Sequence, residues 1–138
     1  MATIDLSQLI TAEDKAAQAA AAARAAINAE RRRRIEAGTV IGGIRVTGRD
    51  EDARNLTSLA LAAQLRIAGG DTATITVYRD GDNVDHELTP PQVLALWQQS
   101  AAYVSALYAA SWAIKAMEPI PADVTADALW AARETEGE

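Results

Sequence analysis

Along the first third of the chain, small apolar positions recur with the period of an α-helix, and alanine supplies nearly all of them. Because alanine has the highest helix propensity, residues 12–37 are predicted to form one helix. Thr11 is placed to cap its start, with Asp14 three residues later, and Gly38 is placed to end it. The apolar stripe has little bulk and consists of Ala16, Ala20, Ala23 and Ile27. Two interpretations stay open: a protruding, solvated helix, or an alanine-type coiled coil with another chain.

Two later segments carry the patterns of β-hairpins. Residues 39–47 place two glycines between β-branched runs, which predicts a tight turn with Ile41 opposite Ile44. Residues 73–88 alternate apolar and polar positions around an Asp80–Asn83 turn. One face of the returning strand is expected to carry Val84, His86 and Leu88.

Two longer segments have the period of helices. The first, residues 50–68, is apolar on two sides because Leu61 and Leu65 lie nearly opposite its main stripe. We therefore expect it to be sandwiched between other elements in the centre of the fold. The second begins at Pro90, behind a Thr–Gln capping box, and is predicted to be the main core helix. Beyond residue 118, two prolines and several acidic residues predict a tail with one short helical turn.

These elements predict an α+β fold, in which a long N-terminal alanine-rich helix precedes a small domain of two β-hairpins and two helices. We divide the chain into a lead and protruding helix for docking or oligomerisation (1–38), a compact α+β domain (39–118) and a Pro-containing acidic tail (119–138). The length of 138 residues suits one such domain with an appendage.

The net charge of -6 argues against a dedicated binder of nucleic acid or anionic membranes, whose surface would be basic. The run Arg31–Arg34 fans around the helix instead of forming one face. Two pairs at i,i+4 spacing, Glu30 with Arg34 and Arg32 with Glu36, are predicted to balance it locally.

Candidate chemistry is sparse. The chain has no cysteine and one histidine, which excludes thiol catalysis, Cys-based metal sites and a paired-His site within one chain. His86 is expected to be structural or half-exposed, and the acidic turn before it departs from the calcium-loop pattern. No nucleophile elbow or phosphate loop is present. We expect no catalytic residues, no metal and no cofactor, and we do not expect an enzyme.

Protein binding is the remaining class. Aromatic residues off the main helical stripes can anchor an interface, and the short apolar lead could add to a partner's sheet edge or groove. The predicted partner-binding residues are Ile4, Leu6, Leu9, Ile10, Ala16, Ala20, Ala23, Ile27, Trp112 and Trp130.

The order of these motifs resembles a domain family of unknown molecular function that occurs in tail and tail-fibre proteins of tailed phages and prophages. The resemblance rests on the runs AINAERRRRIEAG, RDEDARNLTSLALAA and LTPPQVLALWQQSAAYVSALYAASWAIKAM. The lead IDLSQLITAEDKA and the PIPADV tail are similar to small tail-module proteins of phages of alphaproteobacteria. The second hairpin departs from the family, which often carries a tryptophan where this chain has Thr76 and Tyr78.

The resemblance implies a structural or adaptor protein at the distal tail, fibre or baseplate periphery of a phage. Its expected partners are other phage tail proteins and its own copies, with a trimer favoured, and neither nucleic acid nor membrane. The expected location is the virion tail, and the host cytoplasm during assembly. Two alternatives stay open: a tail-fibre assembly chaperone that is absent from the mature virion, and a small nucleic-acid-binding protein that uses Arg31–Arg34.

Overall fold

The computed structural model describes residues 11–134, with side chains up to residue 131. The fold is α+β, as predicted, with a long N-terminal helix, two antiparallel hairpins and further helices. The elements in chain order are α1 (Ala12–Ala37), β1 (Thr39–Ile41), β2 (Ile44–Val46), α2 (Asp50–Ala68), β3 (Thr76–Arg79), β4 (Asp85–Leu88), α3 (Pro90–Lys115) and α4 (Asp127–Glu134).

Helix α3 is the central element of the fold, because it contributes to two separate groups of buried side chains. Its N-terminal half contributes to a hairpin core of Val46, Leu56, Ala63, Tyr78, Leu88, Val93 and Leu96. Its C-terminal half contributes to a helical core of Ile27, Leu107, Ala110, Ile114, Val124 and Trp130. Helix α2 and the hairpins therefore pack at one end of α3, and α1 and α4 pack at the other.

Helix α1 runs antiparallel to α3 and extends beyond its end. The hydroxyl of Tyr103 donates to the carbonyl of Gly38 at 3.3 Å, and Arg31 reaches Ser111 further along α3. Ile27 is the first fully buried residue of α1. The preceding segment Ala12–Ala26, called the free half of α1 below, is exposed except at the half-buried Ala23. At a rise of 1.5 Å per residue, this free half is about 22 Å long.

The predicted starts of α1 and α3 and the predicted first hairpin are confirmed. Thr11 and Asp14 form a capping box at the start of α1, and Thr89 and Gln92 form another at the start of α3. Strands β1 and β2 pair with Ile41 opposite Ile44 across the two glycines. Both glycines have positive φ, at 55° and 83°, which a tight two-residue hairpin turn requires.

The predicted central position of α2 is wrong. Its stripe of Leu56, Ala60 and Ala63 is buried, but Leu61 and Leu65 are 59% and 67% exposed. Helix α2 packs against α3, and nothing in the described part of the chain covers its outer side. The two-sided apolar pattern therefore marks an exposed surface and not a sandwiched helix.

The second hairpin is shorter than predicted. Its strands begin only at Thr76, because Asp71 accepts hydrogen bonds from the backbone amides of Ala73 and Thr74 and holds the preceding residues in a turn. Val84 lies in the turn and is 49% exposed, whereas Leu88 is buried, as expected for the inner face of β4.

A buried carboxylate organises the turn of this hairpin. Asp80 Oδ1 accepts from the amides of Asp82 at 2.8 Å and Val84 at 3.0 Å. Its Oδ2 lies 2.7 Å from Nε2 of His86, which confirms a structural, half-buried role for this histidine. The hydrogen bond to His86 and the backbone amides favour the carboxylate and lower the pKa of Asp80 to about 2.

The turn is therefore expected to lose stability in acid. Because the pKa of Asp80 falls from 3.8 to about 2 on folding, its contribution is present above pH 3.8 and is lost as the pH falls toward 2. Asp80→Asn should be less stable than the wild type at neutral pH, and the difference in free energy of unfolding should narrow over that range. Urea titrations followed by circular dichroism measure this. Asp82→Asn, in the same turn, should keep the acid dependence of the wild type; a constant wild-type-to-Asp80→Asn difference would contradict the assignment.

Candidate protein-binding surface

Four of the predicted partner-binding residues lie on accessible surface. Ala16 and Ala20 are exposed on the free half of α1, and Ala23 is half-buried near its base. Trp112 is 61% exposed, close to the end of α3. The free half continues past the same end of α3. Four further predictions, Ile4, Leu6, Leu9 and Ile10, lie outside the described residues.

The structure corrects two other predictions. Ile27 and Trp130 are 0% exposed, so neither is available to a partner of the folded chain. The chain turns back after α3 and places Trp130 in the helical core, where its indole N–H donates to the carbonyl of Val124 at 2.8 Å. Ile27 lies in the same core, because α1 begins to pack against α3 at this residue. The proximity of two prolines to the end of α3 was the one sequence signal for this reversal.

Sequence reasoning missed that Trp112 belongs to an aromatic pair. The ring centroids of Tyr108 and Trp112 lie 6.0 Å apart with an interplanar angle of 56°. The guanidinium of Arg31 lies 4.3 Å from the centroid of the Tyr108 ring and donates to Ser111 Oγ at 2.9 Å. The exposed indole of Trp112 thus packs against Tyr108, and Arg31 of α1 packs against Tyr108 in turn. These contacts limit the rotamers of both rings.

The arginine run is organised around a buried glutamate. Glu30 is 5% exposed and accepts from Arg33 at 2.6 Å and from Arg34 at 2.9 Å. The hydrogen bond from Arg33 lowers the pKa of Glu30, although burial acts in the opposite direction. The predicted pair of Glu30 with Arg34 is confirmed. The predicted pair of Arg32 with Glu36 is wrong, because it does not form among the described residues.

Arg34 also holds the C-terminal segment in place. It donates to the carbonyl of Thr125 at 3.0 Å and to Asp127 at 2.8 Å, and it stacks over the Trp130 ring at 5.2 Å. Its partners lie more than 90 residues away in the sequence, so the arginine joins α1 to the start of α4. The cluster of Glu30, Arg33 and Arg34 therefore has a structural role, and we call Arg34 a joint because it connects α1 to the C-terminal segment.

The remaining basic surface has mixed charge. A cleft of about 800 Å³ is bordered by Arg31, Arg32 and Arg33, but Glu36 and Asp50 also line it. Carboxylates within the cleft repel phosphate, and two of the three arginines already have partners. Within the described residues, Arg32 is the one arginine of Arg31–Arg34 whose guanidinium has no partner.

Replacing Arg34 with lysine is expected to lower the free energy of unfolding by about 1–3 kcal/mol, because an ammonium cannot make the same planar set of hydrogen bonds or stack on Trp130. Chemical denaturation measures the change. Arg32→Lys is the matched control, and it should change stability by less than about 0.5 kcal/mol. Equal effects of the two substitutions would show that Arg34 does not act as a joint.

Over residues 11–134, no three acidic, cysteine or histidine side chains come together in a way that could hold a metal ion. None of the helices described for this chain has the length and apolar character needed to cross a bilayer.

No curated protein and no solved structure matches this chain. The sequence profile of one family, described as "Domain of unknown function (DUF4376)", matches residues 18–133. This match begins within the free half of α1 and extends through the segment that Arg34 holds in place, so it includes both hairpins and both cores. The chain belongs to this family, DUF4376.

Proposed function

We propose that the protein is a non-catalytic adaptor that binds another protein through the free half of α1. The observation that carries the proposal is the change in burial along this one helix: Ala12–Ala26 lies almost wholly in solvent, whereas Ile27 is 0% exposed. A 15-residue helix is marginal in water by itself, and here the packed half of α1 and the Thr11 cap support it.

The composition of the free half suits a helix partner. The stripe of Ala16, Ala20 and Ala23 has small side chains, so another helix can approach the backbone closely and gain dispersion contacts. Trp112 lies near the base of this helix with 61% of its surface exposed. A tryptophan held by neighbouring side chains is a common anchor of protein interfaces.

We further propose, from the sequence resemblance described above, that the partner is another protein of a phage tail. The site of attachment would be the distal tail, the fibre or the baseplate periphery. The location is then the virion tail, and the host cytoplasm during assembly. Tail parts are usually symmetric oligomers, so copies of this chain are expected to associate, with a trimer favoured.

The decisive experiment changes the stripe of the free half and leaves the fold intact. Glutamate has good helix propensity, so the double variant Ala16→Glu and Ala20→Glu should keep α1 helical but place charge in the interface. The matched control is Ala21→Glu with Ala25→Glu, two exposed positions on the opposite side of the helix. Circular dichroism and sedimentation velocity of the full chains compare helicity and self-association.

We expect mass spectrometry of purified phage particles to detect the wild-type chain and the control variant but not the stripe variant. Absence of the wild-type chain from the particles would favour an assembly chaperone and overturn the adaptor proposal. Retention of the stripe variant at wild-type levels would show that the free half of α1 is not the attachment surface. A steep decrease in DNA affinity with salt would instead identify a nucleic-acid binder.

A further inference from the structure

A second surface lies at the opposite end of α3 from the free half of α1. It is a cleft of about 830 Å³ between the two hairpins, a volume within the range of ligand-binding clefts. We call it the β4 cleft, because all four residues of β4 line it. The tip of the first hairpin, one residue of β3 and one side of α3 complete the wall, with Ile41, Gly42, Ile44, Val77, Gln92, Ala95, Leu96 and Gln99.

The backbone of β4 has hydrogen-bonding groups that its own sheet does not use. Strand β4 pairs with β3 alone in a two-stranded sheet. The amide of Asp80 donates to the carbonyl of Val84 at 2.9 Å, which fixes the alternation of the antiparallel ladder. In that alternation the N–H and C=O groups of Asp85 and Glu87 point away from β3. An exposed edge of this kind is a template for another strand.

The side chains around the β4 cleft define what it can accept. Its floor is apolar, with Leu88 and Leu96 buried and Ile41 and Ile44 half-buried. Its rim carries carboxylates, and no lysine or arginine lines it.

The two carboxylates of the rim, those of Asp85 and Glu87, differ in their ion pairs. Arg79 binds Asp85 at 2.8 Å. Glu87 is exposed and has no ion-pair partner in the part of the chain that the structure describes. Charge complementarity therefore favours a cationic side chain beside Glu87.

We propose that the β4 cleft binds an extended segment of a partner protein in which apolar and basic residues alternate, added as a third strand to β4. Its backbone pairs with the outward N–H and C=O groups of Asp85 and Glu87. Because side chains alternate along a strand, one set of positions contacts the apolar floor and the other lies beside the two carboxylates. This surface is separate from the free half of α1, so the inference does not depend on the function proposed above.

The test uses the isotopically labelled full chain and three acetylated, amidated heptapeptides. The first is Thr-Val-Lys-Val-Lys-Val-Thr, and the second has glutamate at both lysine positions. The third is the first peptide N-methylated at both lysines, whose amides face β4 when the strands are antiparallel and the lysines lie opposite Asp85 and Glu87. We expect the first peptide, at about ten times its Kd, to slow amide exchange of Asp85 and Glu87 about tenfold. The amide of Arg79, on the outer edge of β3 and outside the β4 cleft, should be unaffected.

The other two peptides separate charge from backbone pairing. The glutamate peptide should have a Kd about twofold to fivefold higher, as expected for cross-strand charge pairs. The peptide N-methylated at both lysines keeps their charges but lacks the two donors that face β4, and it should give no protection of Glu87. Equal protection by all three peptides, or none by the first, would overturn the proposal.

Variants of the protein complete the test. Glu87→Lys should reverse the preference between the lysine and glutamate peptides, whereas Glu118→Lys, an exposed glutamate beyond α3, should not. The stripe variant with Ala16→Glu and Ala20→Glu should bind the first peptide as the wild type does. Loss of peptide binding in the stripe variant would show that the two surfaces are not separate and would contradict the inference.

Discussion

Replacing Trp130 with alanine is expected to lower the free energy of unfolding by about 3–5 kcal/mol, the range for removing a buried aromatic side chain. Trp130 is 0% exposed and fills the helical core between α1 and α3. The substitution leaves a cavity, removes the 2.8 Å hydrogen bond to Val124 and removes the ring on which Arg34 stacks. Urea denaturation followed by far-ultraviolet circular dichroism measures the change without relying on tryptophan emission.

Trp112→Ala is the matched control, because it removes the same side chain from the exposed surface of α3. It should change the free energy of unfolding by less than about 1 kcal/mol, since surface substitutions usually have small effects. In the adaptor proposal it should nevertheless weaken attachment to the partner. If Trp130→Ala proved no more destabilising than Trp112→Ala, the helical core would not depend on the C-terminal segment.

Gly38→Ala is expected to destabilise the fold by about 3 kcal/mol or more, because strain and overpacking act together at this position. Gly38 follows α1 with φ of 73°, a backbone conformation that residues with a Cβ rarely adopt. A Cβ atom built there would overlap the carbonyl oxygen of Val46, which is backbone and cannot rotate away. The first hairpin would have to move away from the end of α1. Thermal and chemical denaturation measure the loss.

Gly42→Asn supplies the comparison for this site. Gly42 also has positive φ, but no atom lies within 4 Å of the position of its Cβ, and asparagine tolerates the conformation of a tight turn. We expect a change of less than about 1 kcal/mol. A similar large loss in both variants would mean that positive φ alone, and not the close approach to Val46, makes Gly38 necessary.

Much of the local structure could be predicted from the sequence, because its signals act over a few residues. The Thr11 and Thr89 caps, the Gly–Gly turn and the ends of α1 depend on neighbours within one helical turn. The exposure of Ala16, Ala20 and Trp112 was predicted for a related reason, since an alanine stripe lacks bulk and Trp112 lies off the main stripe of α3.

The errors concern contacts between residues far apart in the sequence. Trp130 was predicted to be accessible because nothing near it indicates which surface the segment after Pro121 would cover. Arg34 finds Asp127 at a separation of 93 residues, and only the folded chain brings them together. The outer leucines of α2 were assigned a covering element because a pattern shows that a face is apolar but not whether another element covers it.

The antiparallel arrangement of α1 and α3 determines how the molecule would carry a mechanical load. Tension applied to the free half along its axis would stress the contacts of Arg31, Ile27 and Tyr103 with their partners simultaneously, in shear, instead of opening them one after another. Force-induced rupture is governed by the unfolding rate, so this geometry favours a long-lived attachment under strain.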